Sequence, residues 1–322
     1  MPQLGKFFML LKSQPNYVSG QVLAKNAGIS RSAVWKQIKA LRRYGYTIES
    51  RHGLGYKLVG QTDLPLPWEL ARVLRTSIVG KNIVFHETTN STQNLALLIA
   101  NNPDSNGTTV IAEEQNGGRG RQKRTWLSPK GGIWLSVILK PSIPTSKITL
   151  LSFAAALATC DAIKAIGLDA RLKWPNDVMI SGRKVAGILL DISAESDQVN
   201  YAVIGIGINA NLDSAAISTR LDGAKITSIS DELGHNVSRL NLTKFLLEYL
   251  EHYYFGLEQF NTSAIVQKWK ARSDMLGRMV TVTQYNKTIQ GIAADVNDDG
   301  SLLIKTKDGN ANIVTGDITV RY

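Results

Sequence analysis

The chain has 322 residues, of which 43% are hydrophobic and 20% are charged, and this length predicts two or three domains because single cores stop growing at roughly 250 to 300 residues. The composition excludes a disordered chain, and the single cysteine, Cys160, excludes a disulfide scaffold and a cysteine-ligated zinc site. We find no signal peptide and expect no apolar run of about 20 residues that would span a bilayer, so we predict a cytoplasmic protein with no membrane partner.

The net charge of +11 is concentrated at the amino-terminal end. Residues 1–60 hold ten basic side chains and one acid, Glu49, and therefore carry a net charge of +9. The basic residues are Lys6, Lys12, Lys25, Arg31, Lys36, Lys39, Arg42, Arg43, Arg51 and Lys57. Such a segment favours binding to DNA phosphates, with an ordinary solvated surface as the alternative.

Three helices are predicted in this basic segment. Leu4–Leu11 is apolar at helical spacing, Ser19 can cap a second helix that ends at Ala27, and Ser30 can cap a third that ends near residue 44. We expect the inner faces of the second and third helices to carry Val22, Leu23, Val34, Ile38 and Leu41.

A hairpin is predicted next. Two strand-like runs, Tyr46–Ser50 and Tyr56–Val59, flank a glycine-bounded turn. The helices and this hairpin match a winged helix-turn-helix, whose recognition helix lies in the major groove and whose wing contacts the backbone or the minor groove. The residues that we predict to contact DNA are Ser30, Arg31, Ser32, Lys36, Lys39, Arg43, Arg51 and His52.

The chain is thereby divided into four parts. Residues 1–61 are predicted to form the DNA-binding domain, and the proline-rich residues 62–67 a linker. Residues 68–273 mix strands and helices without strict alternation, which predicts an α+β domain. Its predicted strands are Asn82–His86, Thr108–Glu114, Ile133–Leu139, Ala170–Lys173, Lys184–Ile192 and Asn200–Asn209, and its helices are Ser91–Asn101, residues 147–166 and Leu242–Lys270. Residues 274–322 show short alternating runs, the last at Ile318–Tyr322, and predict a small SH3-like β-barrel.

Three clusters in the middle domain carry residues suited to chemistry. The glycine- and arginine-rich residues 115–126 can bring backbone and guanidinium groups close to a carboxylate or phosphate, although a mobile surface turn has a similar composition. Residues 173–189 carry lysines that could equally be charges at a strand edge. Residues 205–211 could be a closely packed strand end.

Together these clusters resemble the motifs of a known family. The segments GRGRQKRTW, KWPNDVMISGRKVAGIL and GIGINAN, in this order and spacing, are similar to the signatures of the biotin protein ligases. The basic domain in front makes the chain similar to members of that family that also repress transcription. The resemblance spans essentially the whole chain and implies a central domain with a fold like that of class II aminoacyl-tRNA synthetases.

The resemblance also implies roles for individual residues. Asp177 is implied to bind Mg²⁺ and to act as a base toward the incoming amine, while Ser91 and Thr92 could instead cap a helix. The implied biotin-binding residues are Ser91, Thr92, Gln93, Gln115, Arg119, Gly120, Arg121 and Lys184. The implied ATP- and adenylate-binding residues are Gly118, Arg119, Arg121, Trp126, Asn176, Lys184 and Asn209, and the catalytic ones are Arg119, Arg121, Lys184 and Asp177.

The implied reaction uses ATP, biotin and Mg²⁺. Biotin's carboxylate attacks the α-phosphorus of ATP to form biotinyl-5′-AMP, and biotin then passes to a lysine of a biotin carboxyl carrier protein. The implied partners are that carrier, operator DNA, and a second copy of the chain, with which it forms a homodimer when the adenylate is bound.

One position departs from the family pattern. Between Arg121 and Arg124 the chain has Gln122 and Lys123, where many loops of the family have arginine and glycine. We expect a stiffer loop, intact ligase chemistry and a less certain coupling to DNA binding.

Two other functions are compatible with the sequence. A related enzyme could load lipoate onto a carrier lysine, but the GRGR and KWPND segments favour biotin. The chain could also be a sensor that binds biotin without catalysis, although the presence of Arg119, Arg121 and Lys184 favours an enzyme.

Overall fold

The computed structural model describes residues 2–195, 198–221, 224–259, 261–284 and 287–320. The chain divides into two compact units between Arg72 and Val73. Each unit has its own buried apolar residues. The residues that we predicted to bind DNA lie in the first unit, and those that we predicted to be catalytic lie in the second.

The first unit begins with three helices, α1 (Pro2–Lys12), α2 (Gly20–Ala27) and α3 (Arg31–Arg43). Ser19 and Ser30 cap α2 and α3, as predicted, because each hydroxyl accepts a backbone N–H three residues ahead, at 3.2 Å. The expected core residues Leu23, Val34, Ile38 and Leu41 are buried. The prediction for Val22 is wrong: its side chain is 47% exposed, because neighbours along a helix point about 100° apart and Leu23 takes the inner face.

Strands β1 (Thr47–Arg51) and β2 (Gly55–Gly60) form the predicted antiparallel hairpin. Gly55, at the start of β2, has a φ of +104°. A Cβ there would lie 2.1 Å from the carbonyl oxygen of Val18, so only glycine permits this close approach of the chain.

A further helix, α4 (Pro67–Val73), closes the first unit and was not predicted. Its Trp68 donates a hydrogen bond of 2.8 Å to the Tyr46 hydroxyl, which donates one of 2.7 Å to the buried carboxylate of Glu69. Arg72 pairs with the same carboxylate at 2.6 Å. Burial, together with the bond to Glu69, raises the pKa of Tyr46 well above its ordinary value. These contacts join α4 to the helix-turn-helix.

The second unit is built on a mixed sheet, which confirms the predicted α+β class. Its strands are β3 (Ile83–Thr89), β4 (Thr109–Gln115), β5 (Ile133–Leu139), β6 (Arg171–Lys173), β7 (Asp177–Ile180), β8 (Arg183–Glu195) and β9 (Gln198–Ile208). They lie in the order β3-β4-β5-β9-β8-β7-β6. Only the β3–β4 pair is parallel among these neighbours. Strand β7, inside the KWPND region, was not predicted.

The helices of the second unit are α5 (Thr92–Ile99), α6 (Leu150–Lys164), α7 (Ser214–Thr219), α8 (Ile229–Leu233), α9 (Arg239–Glu258) and α10 (Thr262–Ala271). Helix α5 packs on β4, β5 and β9, whereas α6 packs on α9, α10 and β6–β9. In the part of the chain that the structure describes, the stretch Thr145–Lys164 is long and apolar enough to cross a membrane, contrary to our expectation. Because 72% of its apolar window is buried within the protein, it is a core helix.

The last part of the second unit is an antiparallel sheet. Its strands are β10 (Met279–Gln284), β11 (Lys287–Val296), β12 (Leu302–Thr306), β13 (Gly309–Ile313) and β14 (Asp317–Val320), in the order β13-β12-β11-β10-β14. The indole N–H of Trp174 donates to the carbonyl of Gly300 at 3.0 Å, which attaches this sheet to the central domain. The predicted last strand ended at Tyr322, and residues 321 and 322 lie outside the described ranges.

Candidate functional site

A cavity of about 530 Å³ opens in the second unit. It is lined by the start of α5, the end of β4, the loop 119–126, residues 173–177, and parts of β8, β9 and β14. All residues predicted to bind biotin or nucleotide line this cavity except Gly118, whose carbonyl instead accepts the backbone N–H of Trp126 at 2.9 Å. Segments far apart in sequence therefore meet as the motifs predicted, and the role of each residue remains a prediction.

One end of the cavity is a network of amides and hydroxyls. The amide oxygen of Gln115 accepts the backbone N–H of Thr92 at 2.7 Å, and its nitrogen donates to Ser128 at 2.8 Å. The hydroxyl of Ser136, on β5, donates to the amide oxygen of Gln93 at 2.9 Å. Gln93 and Thr92 are buried, so these polar groups are held in fixed orientations, as the recognition of a polar ring system requires.

Ser91 lies at the edge of this network and caps α5. Its hydroxyl accepts the backbone N–H of Asn94 at 3.4 Å. Ser91 therefore caps α5, as the alternative proposed, and it also lines the cavity, so its contact with biotin stays a prediction.

Part of the cavity floor is formed by two glycines, one on β8 and one on β9. Gly187 and Gly207 are cross-strand partners, so they lie side by side on one face of the sheet. A Cβ at Gly207 would lie 2.6 Å from the indole nitrogen of Trp126, and one at Gly187 would lie 2.9 Å from the same ring. The indole thus rests on bare backbone. Among the residues described, its buried nitrogen has no hydrogen-bond partner.

The loop over the cavity is a short hairpin. The backbone N–H of Gly120 donates to the carbonyl of Arg124 at 2.8 Å, and the backbone N–H of Arg124 donates to the carbonyl of Arg121 at 3.1 Å. Gln122 and Lys123, at the turn, have φ values of +54° and +60°. Two consecutive positive φ values define a type I′ turn, which favours glycine or asparagine, so this pair strains the loop backbone.

Arg119 and Arg121 are held by polar neighbours. Arg119 donates to the side-chain oxygen of Asn94 at 2.8 Å and lies 3.6 Å from a carboxylate oxygen of Asp191. Arg121 donates to Thr315 at 2.8 Å and to Asn176 at 3.2 Å. Both guanidinium groups are thus orientated at the cavity before any anion binds.

Lys184 and Asp177 form the charged centre of the site. The ammonium group of Lys184 lies 2.5 Å from a carboxylate oxygen of Asp177 and 5.0 Å from the centre of the Trp126 ring. Both side chains are partly accessible from the cavity, with exposures of 27% and 20%. An incoming carboxylate or phosphate would therefore meet an ammonium group whose position is already fixed.

Asn176 and Asn209, which we predicted to bind the nucleotide, both hydrogen-bond to the backbone around the cavity. The Asn176 amide donates to the carbonyl of Ile188 at 2.5 Å while its oxygen accepts the bond from Arg121. The amide of Asn209 donates to the carbonyl of Thr227 at 3.0 Å, which fixes the segment that pairs with Lys184.

Sequence reasoning missed several residues of this site. Asp191 on β8 accepts a bond from the amide of Gln93 at 3.1 Å, in addition to its contact with Arg119. Thr315 lies 194 positions after Arg121 and came from a domain to which we assigned no part of the site. The period-2 alternation of β8 could have placed Asp191 beside Gly187 and Leu189, but no sequence signal places Thr315.

Metal-binding groups are sparse. Within the described ranges there is no group of three or more His, Cys, Asp or Glu side chains that could hold a metal ion. Asp177 offers one carboxylate to the cavity. Since Mg²⁺ in nucleotide enzymes is held by one or two carboxylates together with phosphates and water, this donor set fits an ion that arrives with the nucleotide.

The predicted DNA-contacting residues lie in the first unit. Ser30 caps α3, and five residues on the exposed side of this helix and two in the hairpin complete the set. The exposed residues are Arg31, Ser32, Lys36, Lys39, Arg43, Arg51 and His52. Arg42 instead donates to the carbonyl of Ile48 at 2.6 Å and to Ser50 at 2.7 Å, which fixes α3 against β1.

The wing contains a small charged cluster. Arg51 lies over the ring of Tyr17, 4.9 Å from its centre, and 3.6 Å from the carboxylate of Glu49. Tyr17 also donates a hydrogen bond to Glu49, which raises the pKa of the Tyr17 hydroxyl. The one acid of residues 1–60 is therefore paired with a cation that we predicted to contact DNA.

Family models match three parts of the chain. The Biotin/lipoate A/B protein ligase family matches residues 85–209, an HTH domain matches residues 6–57, and the Biotin protein ligase C terminal domain matches residues 275–321. The first match ends at Asn209 and contains the loop 119–126 and Lys184.

Whole-chain relatives agree with these matches. The chain is 35% identical to the Bifunctional ligase/repressor BirA of Bacillus subtilis over 94% of this chain and 93% of the relative. It is 29% identical to the protein of the same name from Escherichia coli over 92% of this chain and 90% of the relative. The solved biotin protein ligase of Aquifex aeolicus, in complex with biotin and ATP, superposes with a TM-score of 0.64 at 26% identity and covers 75% of this chain and 99% of its own.

Proposed function

Because this chain belongs to the biotin protein ligases that carry a DNA-binding domain, we propose that it joins biotin to a carrier protein with ATP and represses transcription. The observation that carries the ligase part is the convergence of Arg119, Arg121 and Lys184 on the cavity that Gln93 and Gln115 also line. Anion-binding groups at one end and neutral amides at the other suit a ligand with a polar ring and a carboxylate tail.

Biotin binds with its ring at the amide end. Thr92, Gln93, Gln115 and Ser136 present hydroxyl and amide groups that pair with the ureido group of the ring. Gly205 permits this arrangement, since a Cβ there would lie 2.6 Å from the side-chain oxygen of Gln93. The acid tail then points toward the three cations.

The first step joins the tail to the nucleotide. A carboxylate oxygen of biotin attacks the α-phosphorus of ATP, the bond to the β-phosphate oxygen breaks, and pyrophosphate leaves with that bond's electron pair. Arg119, Arg121 and Lys184 offset the repulsion between the two anions and stabilise the charge that gathers on the phosphoryl oxygens. Catalysis consists mainly of positioning and electrostatics, because no enzyme group becomes covalently attached.

Asp177 orientates Lys184 and offers a carboxylate to Mg²⁺. When bound with ATP, the ion neutralises phosphate charge in this reaction. Lys184 is held by Asp177 at 2.5 Å until the substrate anions arrive, and it then exchanges part of that contact for them.

The second step transfers biotin to a lysine of a biotin carboxyl carrier protein. The neutral amine attacks the acyl carbon of biotinyl-5′-AMP, an amide forms, and AMP leaves with the electron pair of the acyl–oxygen bond. Asp177 accepts the proton that the amine loses. The hairpin 119–125 shields the adenylate from water until the acceptor arrives.

The ligase proposal is tested by incubating the purified chain with biotin, Mg-ATP and an acceptor domain. The mass of the acceptor is then measured by mass spectrometry. We expect biotin attachment by the wild type and a loss of at least about 100-fold in Lys184→Ala, the size seen when one charge-stabilising donor is removed. Arg183→Ala is the matched control, because Arg183 is on the same strand but pairs with Glu232 at 2.8 Å. A wild type that forms no acyl-adenylate contradicts the proposal.

The acid that is activated is biotin and not lipoate. Lipoate lacks a ureido group, so it cannot use the amides of Gln93 and Gln115. Pyrophosphate exchange with each acid separately, and with both in competition, distinguishes them. Exchange that depends on lipoate and is indifferent to biotin would favour the alternative enzyme. A chain that binds biotin but releases no pyrophosphate would be a sensor.

Repression uses the first unit. Biotinyl-5′-AMP acts as co-repressor by promoting a homodimer, and two winged helices then bind the two halves of a palindromic operator. The basic face of α3 and the cations of the wing support this role, and we place both activities in the cytoplasm, where carriers and DNA are available. Sedimentation with and without biotin plus Mg-ATP tests the linkage. A monomer that does not respond at micromolar concentration contradicts it.

A further inference from the structure

Trp35 is a large aromatic residue on the outer side of α3. Its side chain is 56% exposed, whereas Val34, Ile38 and Leu41 on the other side of the helix are buried. The indole therefore adds little to the core of this unit. Tryptophan is enriched at binding interfaces, because its ring offers a large apolar area and its N–H a hydrogen-bond donor.

The surroundings of Trp35 are basic. Arg31, Lys36 and Lys39 lie within one turn of it on the exposed side of the helix. The ammonium group of Lys39 lies 5.3 Å from the centre of the indole ring. Since α3 has no acidic residue, the face combines positive charge with one apolar plane.

This combination favours DNA over a protein partner. The cations complement phosphate, but phosphate contacts carry no sequence information. Sequence is read in the major groove by hydrogen bonds and by apolar contact, of which the C5-methyl group of thymine is the main target. Trp35 is the fifth residue of α3, and the amino-terminal part of a recognition helix is the part that contacts base edges.

We propose that Trp35 is a specificity-determining residue of the DNA-binding surface and that it contacts the apolar edge of a base pair, the thymine methyl group, in the major groove. This inference rests on the proposed repressor function. Lys36 and Lys39 hold the flanking phosphates, and Lys39 covers one face of the indole while the rest of the ring meets the base edge.

The test uses the full chain saturated with biotin and Mg-ATP. A preferred duplex is first selected from a pool of random sequences with the wild type. Binding of wild type, Trp35→Ala, Trp35→Phe and Lys36→Ala to that duplex and to an unrelated duplex is then measured over a range of salt concentrations. Thermal unfolding and biotin attachment are recorded for each variant to establish that it is folded.

We expect replacement of Trp35 to reduce sequence preference and replacement of Lys36 to reduce affinity for any duplex. Trp35→Ala should weaken binding to the preferred duplex by about 10-fold, leave the unrelated duplex and the salt slope unchanged, and lose the preference at a T·A pair on repeated selection. Trp35→Phe should retain most of the preference, because it keeps an apolar ring. Lys36→Ala should weaken both duplexes alike and reduce the salt slope by about one.

Two results would overturn the inference. If Trp35→Ala selects the same sequence with the same ratio of affinities, Trp35 does not read DNA, and its exposure would then point to a protein partner. If the wild type itself shows no sequence preference, the repressor function fails and the role of Trp35 fails with it. The two failures are distinguished by the wild-type selection alone.

A fluorescence measurement supplies a second criterion. The signal of Trp35 is obtained as the difference between the wild type and Trp35→Phe. Addition of the preferred duplex should quench this difference signal, whereas a duplex in which uracil replaces thymine should bind the wild type more weakly, because uracil lacks the methyl group. Equal affinity for the two duplexes would contradict the proposed contact.

Discussion

Asp191 connects two parts of the candidate site. One is Gln93 on α5, 98 positions earlier in the chain, and the other is Arg119 in the loop over the cavity. Asp191 accepts a hydrogen bond from Gln93 at 3.1 Å and lies 3.6 Å from Arg119. Gln93 lies at the end of the cavity where we propose that the biotin ring binds, and Arg119 lies at the charged end. Because Asp191 contacts both side chains, it fixes their separation.

Replacement of Asp191 should therefore affect biotin binding more than catalysis. We expect Asp191→Ala to raise the KM for biotin by about 10-fold with a smaller change in kcat, since a hydrogen bond to a charged group contributes about 1.5 kcal/mol or more. Steady-state kinetics with biotin as the varied substrate measures this split. Glu195→Gln, an exposed acid on the same strand, is the control and should behave as wild type. A fall in kcat alone would rule out a positioning role.

Glu49, in the first unit, is expected to weaken the binding of DNA. Its carboxylate lies 3.6 Å from Arg51 and reduces the positive charge that the wing presents. Removal of one negative charge beside DNA should strengthen binding whatever the sequence.

We expect Glu49→Gln to bind any duplex several-fold more tightly, with a steeper dependence on salt and an unchanged ratio between preferred and unrelated duplexes. Fluorescence anisotropy at several salt concentrations measures both quantities. Asp104→Asn, an exposed acid of the second unit, serves as the comparison. Unaltered affinity in Glu49→Gln would mean that the wing does not approach DNA.

At the scale of elements, the hairpin 119–125 stores backbone strain. Lys123 has a φ of +60°, and it occupies the position where the resemblance to the family led us to expect glycine. The left-handed conformation costs a residue with a Cβ about 1 kcal/mol, and glycine avoids this cost.

Lys123→Gly should stabilise the hairpin. Trypsin cleavage after Arg121 and Arg124 in the ligand-free chain should become slower by up to about fivefold, the equivalent of roughly 1 kcal/mol. Lys123→Ala removes the same charge but keeps the Cβ, so its cleavage at these two bonds should match that of the wild type. Equal protection in both variants would assign the effect to charge rather than to strain.

Elements with periodic patterns, caps or flanking turns were predictable, including the short strands β1, β2 and β6, whereas the short elements α4, α7, α8 and β7 were missed. The capped helices α2 and α3, the strand β5 and the long apolar helix around residues 150–164 follow from spacing and caps in the sequence. Helix α4 was missed because its seven residues begin at a proline inside a segment that reads as a linker. The glycine motifs predicted a close approach to a ligand, but the partner of the Gly187 and Gly207 floor, Trp126, is visible only in the folded chain.

At the scale of the molecule, the position of α4 determines where the chain can be divided. Leu66, Trp68 and Leu70 are buried in the first unit, and Gly5 packs against the ring of Trp68. A ligase fragment that begins at residue 62 would carry Trp68 without its partners Tyr44 and Tyr46. Exposing a large apolar side chain in this way costs about 1.5 to 3 kcal/mol.

Deletion of residues 1–72 should therefore give a better ligase fragment than deletion of residues 1–61. We expect the fragment 73–322 to remain monomeric and to attach biotin, whereas the fragment 62–322 aggregates or binds a hydrophobic dye. Both should lose DNA binding. Size-exclusion chromatography, dye binding and the acceptor assay compare them, and equal solubility of the two fragments would show that α4 does not depend on the winged helix.

The hydrogen bond between Arg121 and Thr315 can form only after Thr315 has been synthesised. The ribosome adds Thr315 194 residues after Arg121, so a nascent chain can complete the central sheet while the anchor of its hairpin has not yet been translated. Until Thr315 has emerged from the ribosome, Arg121 lacks this hydrogen bond. The hairpin thus gains this anchor only after the strands of the central sheet have been synthesised.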